Sequence, residues 1–483
     1  MTSPSMLWAP RAWLPQGWQQ HVLLRIGADG RWVDVVAGVP VPPEGCATLQ
    51  GPVLPGLVDA HSHAFQRAFA GLAERREGEA DDFWSWRDRM YGVALRVTPD
   101  QLQAIAAQLY VELLRGGYTQ VCEFHYLQHL EDGSAYGDTL AMSWALADAA
   151  ADAGLGLTVL PVLYERAGFA QSALRADQRR FALDAQGVWS ACERINASRR
   201  LNVDAGVALH SLRAVAPESI HRLRTLAEGF DGPIHIHVAE QLQEVDDCLQ
   251  ATGARPVQWL AREGILDARW QLVHATHVTP QEIEAVAHAR SGVVLCPSTE
   301  ANLGDGLTDL PGWLAAGSGA VQLSIGSDSN VTRGWREELR LLEYGQRLHL
   351  RRRNVAAGIE KGIHVSATAE RLWQRVVSGG AAAAGQPQWG LQRGARADLL
   401  VVDTQDASLL GVPASHTLDA LVFASPGRPW RDVMVAGRFV VNDHRHAASS
   451  RIATRFEQVM GELWTEPPGG RPAAATSRRT RVR

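Results

Sequence analysis

Short apolar runs alternate along this chain with stretches that carry helix signals. Eight apolar segments, many of them β-branched, read as buried parallel strands: residues 53–63, 118–126, 156–164, 203–211, 233–240, 271–278, 292–298 and 320–330. Most of them end in a polar or ionisable residue. Between them, Thr98-Pro99-Asp100-Gln101 combines an N-cap, a first-turn proline and a capping-box glutamine, and Gly116-Gly117 closes the helix it opens. Thr279-Pro280-Gln281-Glu282 opens another in the same way. Eight strand–helix alternations predict an α/β fold of the (β/α)8 barrel type. Further short strands are expected at 23–26, 32–36 and 48–49, and at 397–403, 420–423 and 433–441. Because these flank the barrel, one small β-sandwich domain made from both chain ends is expected. The predicted division is 1–51 for the first part of the sandwich and 52–385 for the barrel. Residues 386–465 then form the rest of the sandwich and a closing helix, and 466–483 a disordered tail rich in Pro, Gly, Ala and Arg.

A chain of 483 residues suits one large barrel plus an accessory domain. Its 46% hydrophobic and 20% charged content is that of a globular enzyme. The formal charge of −5 supplies no basic face for nucleic acid, so no nucleic-acid partner is expected. No apolar stretch reaches the length of a membrane span, and Pro10, Arg11 and Pro15 interrupt the apolar start, unlike a signal peptide. Five scattered cysteines (46, 122, 192, 248 and 296) fit free thiols in a reducing compartment, hence the cytoplasm. None forms a Cys-x-x-Cys pair, so any metal must be held by nitrogen and oxygen.

Four strand ends carry candidate chemistry. His61-Ser62-His63 ends the first strand, and alternate strand residues share a face, so both imidazoles aim at one point. Strand five ends His235-Ile236-His237-Val238-Ala239-Glu240, strand six contains His274, and strand eight ends Ser327-Asp328. In a barrel all these carboxyl ends surround one mouth. His61, His63, His237 and Asp328 are therefore the candidate ligands of one zinc ion, with a position left for water. Zinc lowers the pKa of bound water from about 15.7 to about 7, roughly 12 kcal/mol of help in forming hydroxide. Asp328 is also placed to accept a proton from that water. Glu240 is the candidate general acid/base, and His274 the group that polarises the attacked centre. Strand four contains no lysine, so no lysine bridge to a second metal is expected there. His235 lies one pleat deeper than His237 and reads as a core or supporting residue, and His277 as a loop donor.

Pro55-Gly56-Leu57-Val58-Asp59-Ala60-His61-Ser62-His63, the later His237, His274 and Ser327-Asp328, and Gly394-Ala395-Arg396-Ala397-Asp398-Leu399 together resemble the amidohydrolase superfamily. The resemblance spans nearly the whole chain and implies a barrel with a terminal β-sandwich. The missing strand-four lysine resembles its mononuclear-zinc deaminase branch. Within that branch the chain resembles the formimidoylglutamate deiminase family. The match rests on His61 to Ala68, on Phe83-Trp84-Ser85-Trp86-Arg87, on Cys122 to Tyr126 and on His210-Ser211-Leu212-Arg213. The stretches from His235 to Gln241 and from Glu337 to Arg347 reinforce it. This resemblance implies hydrolysis of N-formimidoyl-L-glutamate to N-formyl-L-glutamate and ammonia in histidine degradation, by a homodimer. A dianionic substrate needs fixed cations, and guanidinium binds carboxylate as a fork. Arg87 and Arg213 are then the expected carboxylate ligands, with Gln66, Tyr126 and His210 as further substrate contacts. Trp84 and Trp86 read as loop packing, and Arg67, Arg75, Arg76 and Arg89 as surface charges. The competing expectations are a guanine-type deaminase, cleavage of the same substrate to glutamate and formamide, and a non-catalytic binding barrel.

Overall fold

The computed structural model describes residues 4–76, 82–316, 321–360 and 362–464. The predicted tail and Ala320, the expected start of strand eight, lie outside these residues. Eight parallel strands form one sheet in sequence order, each followed by helical chain. They are Leu57–Ser62, Tyr118–His125, Gly156–Leu163, Val203–Ala205 continued by Val207–Leu209, Ile234–Val238, Trp270–His274, Gly292–Leu295 and Gln322–Ile325. Strand four is interrupted at Gly206, where a Cβ would lie 2.6 Å from the carbonyl oxygen of Pro233. Nearly every strand residue is buried, which is why the runs are continuously apolar rather than alternating.

The barrel closes at its carboxyl rim. A parallel bridge joins Ser62 to Asp328, with Asp328 N–H donating to the His61 carbonyl at 2.8 Å and His63 N–H to the Asp328 carbonyl at 3.1 Å. Gly326 permits that approach, because a Cβ there would sit 2.7 Å from both the Cβ and the carbonyl oxygen of His61. At the opposite end the last turn of the helix Thr368–Ala383 plugs the interior. The Ala383 carbonyl accepts from His235 Nε2 at 2.8 Å and from Cys122 Sγ at 3.4 Å. His235 is thus a core residue tied to the plug.

A second sheet draws strands from both chain ends. Met6–Leu14 pairs with Gly17–Ile26, and Val53–Leu54 bridges Met6–Leu14 to Leu399–Val402. Residues 53–54 therefore belong to this sheet, and Pro55-Gly56 separates them from the first barrel strand. Met6–Leu14 is a strand not among those expected; its Pro10, with no N–H to donate, falls between the paired residues Ala9 and Arg11. The segment expected as a strand at 420–423 is instead the end of the helix Thr417–Phe423, whose inward face is Thr417, Leu418, Leu421 and Val422. That spacing of three and four is helical, and four residues were too few to show it. The C-terminal helix Ser449–Trp464 packs on Pro99–Gly116, and Trp464 Nε1 donates to the Ala68 carbonyl at 3.0 Å, behind the turn carrying His63 and Gln66.

Candidate active site

Three imidazoles from two strands meet at the carboxyl rim. His61 Nε2 lies 3.2 Å from His63 Nε2 and 2.9 Å from His237 Nε2. Asp328 Oδ1 stands 3.3 Å from His63 Nε2 and 3.6 Å from His61 Nε2. All four residues are buried. The ring nitrogens facing away fix the tautomers. His63 Nδ1 donates to the Phe124 carbonyl at 3.0 Å, and His237 Nδ1 to the His210 carbonyl at 3.1 Å. Their Nε2 atoms therefore present lone pairs inward. Burial, the largest cause, keeps these imidazoles neutral, pulling His63 down to about 3 and His61 and His237 well below the ordinary histidine range. Lone pairs at such separations repel unless a cation sits among them. Tetrahedral coordination at about 2.0–2.1 Å from a metal puts ligand atoms about 3.3–3.4 Å apart. The observed distances scatter around that value, so the three imidazoles fit a divalent ion, with Asp328 beside them within reach of it or of its bound water.

His274 behaves differently. Its Nδ1 lies 3.4 Å from Glu300 Oε1, and its Nε2 lies 3.7 Å from both Glu240 Oε1 and Asp328 Oδ2. Burial lowers its pKa, but Glu240, the bond to Glu300 and Asp328 outweigh this and push it up to about 10. A protonated imidazole has no lone pair to offer a metal. A second donor group, His274 with Cys296 and Asp328, is thereby a weaker metal cage than the first, and burial also raises the Cys296 thiol. Asp328 is raised to about 7 by burial, with His274 opposing and Glu240 and Glu300 adding. A neighbouring cation would relieve that cost.

The strand exits are locally strained to aim these groups. Ala239, His274, Ala275 and Asp328 all have positive φ, between 46° and 69°. Neighbouring side chains hold those turns. Glu244 accepts from the N–H groups of Ala239 and Glu240, each at 3.0 Å. Asp59 accepts from Ser327 N–H at 2.8 Å and Ser327 Oγ at 2.6 Å. Asn330 Nδ2 reaches the carbonyls of His63 and Asp328, each at 3.1 Å.

One cavity opens on the cluster. Its walls include His63, His237, Glu240, His274 and Asp328 together with Gln66, Arg87, Tyr126, His210 and Arg213. The structure thus brings every predicted site residue except the fully buried His61 to the wall of a single cavity. Gln66 Nε2 donates to Tyr126 Oη at 3.4 Å. Arg87, on the helix Phe83–Ala94, has its guanidinium 4.6 Å over the Trp84 ring, and Arg213 approaches the same ring at 5.5 Å. Burial lowers the Arg87 pKa; Tyr91 opposes this and Arg213 adds to it. The only carboxylate in ion-pair contact with Arg87 among the described residues is the exposed Asp88, at 3.9 Å, and Arg213 has none. Trp84 and Trp86 both line the cavity, so their expected role as plain loop packing is corrected. Arg67 is also no free surface charge, since its Nε and Nη2 bind Glu112 at 2.7 and 2.9 Å.

Sequence reasoning missed Tyr91, Tyr164, Phe181 and Glu244 on the cavity wall, and Glu300 behind it. Tyr164 ends the predicted third strand and was discoverable by the strand-end rule. The others lie on helices and turns, where no period marks them.

Residues 53–440 match the family model described as the Amidohydrolase family, and the chain belongs to that family. It is 45% identical to the formimidoylglutamate deiminase of Pseudomonas aeruginosa, across 95% of this chain and 99% of that protein. The 8-oxoguanine deaminase of the same organism is 29% identical over 88% of this chain and 94% of its own length. Among solved structures, an amidohydrolase from Brucella melitensis superposes with a TM-score of 0.89 at 42% identity, covering 95% of this chain and 100% of that one.

Proposed function

We propose that this protein hydrolyses N-formimidoyl-L-glutamate to N-formyl-L-glutamate and ammonia, a step of histidine degradation. One observation carries the reading: a single cavity lies over a three-imidazole metal cage with Asp328 beside it, and its wall also carries two arginines that, among the described residues, pair with no buried carboxylate. The 45% identity to a formimidoylglutamate deiminase supports the same substrate. A deaminase for a neutral aromatic base has no use for paired cations at a burial cost.

His61, His63, His237 and Asp328 would hold one divalent ion, zinc by the nature of the donors. Such an ion acidifies bound water toward neutral pH. The protein's own groups do the rest. Arg87 and Arg213 bind the two carboxylates, and Gln66, Tyr126 and His210 fix the glutamate backbone beside them. The formimidoyl carbon is thereby brought between His274 and the cage. Asp328 takes a proton from the attacking water. His274 polarises the attacked centre, and Glu240 takes the second proton of the attacking water to the terminal nitrogen, which leaves as ammonia as the formyl C=O forms. The glutamate nitrogen stays attached, leaving a formyl amide.

The deciding assay is ammonia release from formimidoylglutamate, with and without a chelator, with the carbon product identified. Formylglutamate formed only by metal-loaded protein is the expected result. Formamide as product would overturn the mechanism, and faster turnover of guanine or 8-oxoguanine would overturn the substrate.

A further inference from the structure

Tyr164 is a polar group on the cavity wall to which the mechanism above gives no task. It follows the third barrel strand and is 3% exposed. Its N–H and carbonyl both pair with Leu183, at 3.0 and 3.1 Å. Its ring stands edge-on to His210 with centroids 4.5 Å apart, and tilted against Phe181 at 5.9 Å. Backbone and ring are thus held, and the hydroxyl has a fixed place.

The direction of its hydrogen bonds is also set. Gln178, fully buried in the turn Ala176–Phe181, donates from Nε2 to Tyr164 Oη at 3.0 Å. That amide cannot be read the other way round, because its Oε1 accepts the Arg175 N–H at 3.1 Å. A phenol has one proton and can accept as well as donate. Gln178 occupies it as an acceptor, so the phenol proton points elsewhere, and in the unliganded protein Tyr91 is its hydrogen-bond partner. Tyr91, Arg213 and Arg87 are the groups that act on this hydroxyl; the two guanidiniums have no lone pair to receive its proton, and the neutral Tyr91 phenol is a weaker acceptor than an arriving carboxylate, which can replace it. The donor therefore stands in the region where two cations wait for an anion. Burial raises the phenol pKa above its ordinary value, so the group is a donor at neutral pH.

We infer that Tyr164 is a further substrate-binding residue, donating its hydroxyl proton to a carboxylate held by Arg87 and Arg213, and that Gln178 is the positioning residue that aims it. The inference rests on the proposed reading of the cavity as a dianion site.

The test uses full-length, metal-loaded protein: wild type, Tyr164→Phe, Gln178→Glu and the double variant. Each is assayed for ammonia release from formimidoylglutamate and from the formimidoyl derivatives of 2-aminobutyrate and 4-aminobutyrate, which each lack one carboxylate. Tyr164→Phe keeps the ring against His210 and removes only the donor. It is expected to lower kcat/KM for formimidoylglutamate about 10- to 100-fold, mainly through KM, the range for one hydrogen bond to a charged group. On one of the two truncated substrates the loss is expected to be under about threefold. Gln178→Glu turns the local bond round, because a carboxylate accepts the phenol proton. It should match the loss of Tyr164→Phe, and the double variant should be no worse than either. An unchanged Tyr164→Phe enzyme, or equal losses on all three substrates, would overturn the assignment. Additive losses in the double variant would overturn the role of Gln178. Wild-type protein that fails on formimidoylglutamate while releasing ammonia from another amine would overturn the dianion reading and this inference with it. Metal content of each variant separates loss of fold from loss of contact, and Gln178→Glu alone still decides the matter if Tyr164→Phe fails to fold.

Discussion

Replacing Arg213 by methionine separates what the arginine does for the ligand from what it does for the protein. Its guanidinium approaches the same Trp84 ring as that of Arg87, at 5.5 and 4.6 Å from the ring centre. Two cations so placed, about 6–10 Å apart at an effective dielectric of about 20–40, repel by roughly 1–3 kcal/mol. Methionine keeps an apolar stem against Trp84 and drops the charge. In the unliganded protein the relief of repulsion is offset by the lost cation–π contact, about 0.5–1 kcal/mol, so the fold should gain zero to about 2.5 kcal/mol. In the complex a charge-assisted hydrogen bond disappears, about 1.5–3 kcal/mol, or roughly 10- to 150-fold in kcat/KM. The two effects have opposite signs. The assay is ammonia release over a range of formimidoylglutamate concentrations, beside the melting temperature of metal-loaded protein. The expected result is a raised KM, a nearly unchanged kcat and a Tm no lower than wild type. An uncharged formamidine should show no comparable loss. A Tm that falls by several degrees, or equal losses on charged and uncharged substrates, would refute the reasoning and make Arg213 a structural residue.

Three further outcomes are expected. Glu240→Gln should retain metal but lose at least about a hundredfold in kcat, the lower range for general acid–base catalysis, and unchanged turnover would remove Glu240 from the proton path. Gly326→Ala places a Cβ 2.7 Å from His61. Strands one and eight must then part, with a stability loss of about 1–3 kcal/mol and at least about tenfold weaker metal binding in a chelator competition, a loss on the scale of removing a ligand's supporting contact; wild-type affinity would show that rim closure does not set the ligand geometry. Glu338 is buried beneath Ser298 and Thr332, and burial raises its carboxyl to about 8 against their hydrogen bonds. The folded state thus binds this proton more tightly than the unfolded chain, so the group's stabilisation is complete below its ordinary pKa of about 4.5 and is lost as pH climbs through about 8. Glu338→Gln should flatten that part of the Tm–pH curve, and a parallel curve would assign the decline to other groups.

The barrel and its site were legible because strand-end chemistry follows from a period of two. His61 and His63 share a face wherever they sit on a strand, and the barrel then brings His237, His274 and Asp328 to them without any sequence proximity. The supporting groups were less visible. Glu244 holds the exit turn of strand five, and Glu300 holds His274, through hydrogen bonds from helices whose sequence serves packing as well. Nothing in their spacing sets them apart from ordinary solvent-facing glutamates. Trp84 looked like loop packing because an aromatic in a connection usually is that; only its position beneath two guanidiniums changes its meaning. The helix at 417–423 failed as a predicted strand because a four-residue apolar window cannot distinguish the two periods.

The arrangement of charge across the cavity sets the orientation of a bound ligand before any chemistry occurs. At the cage end, Glu240, Glu300 and Asp328 surround one imidazolium, His274, with separations of 3.4–3.7 Å. At the other end, Arg87 and Arg213 face a wall of tyrosines. A linear molecule with an amidine at one end and carboxylates at the other matches this field in one direction only, since reversal would set carboxylate against carboxylate and amidinium against guanidinium. Each such mismatch costs several kcal/mol in a poorly solvated site. On the proposed reading this asymmetry supplies specificity that the metal cannot, because an ion held by three imidazoles and a carboxylate activates water regardless of what lies above it. On the same reading the cage would fix the type of reaction, and the arginine end would decide which amidine is presented to it.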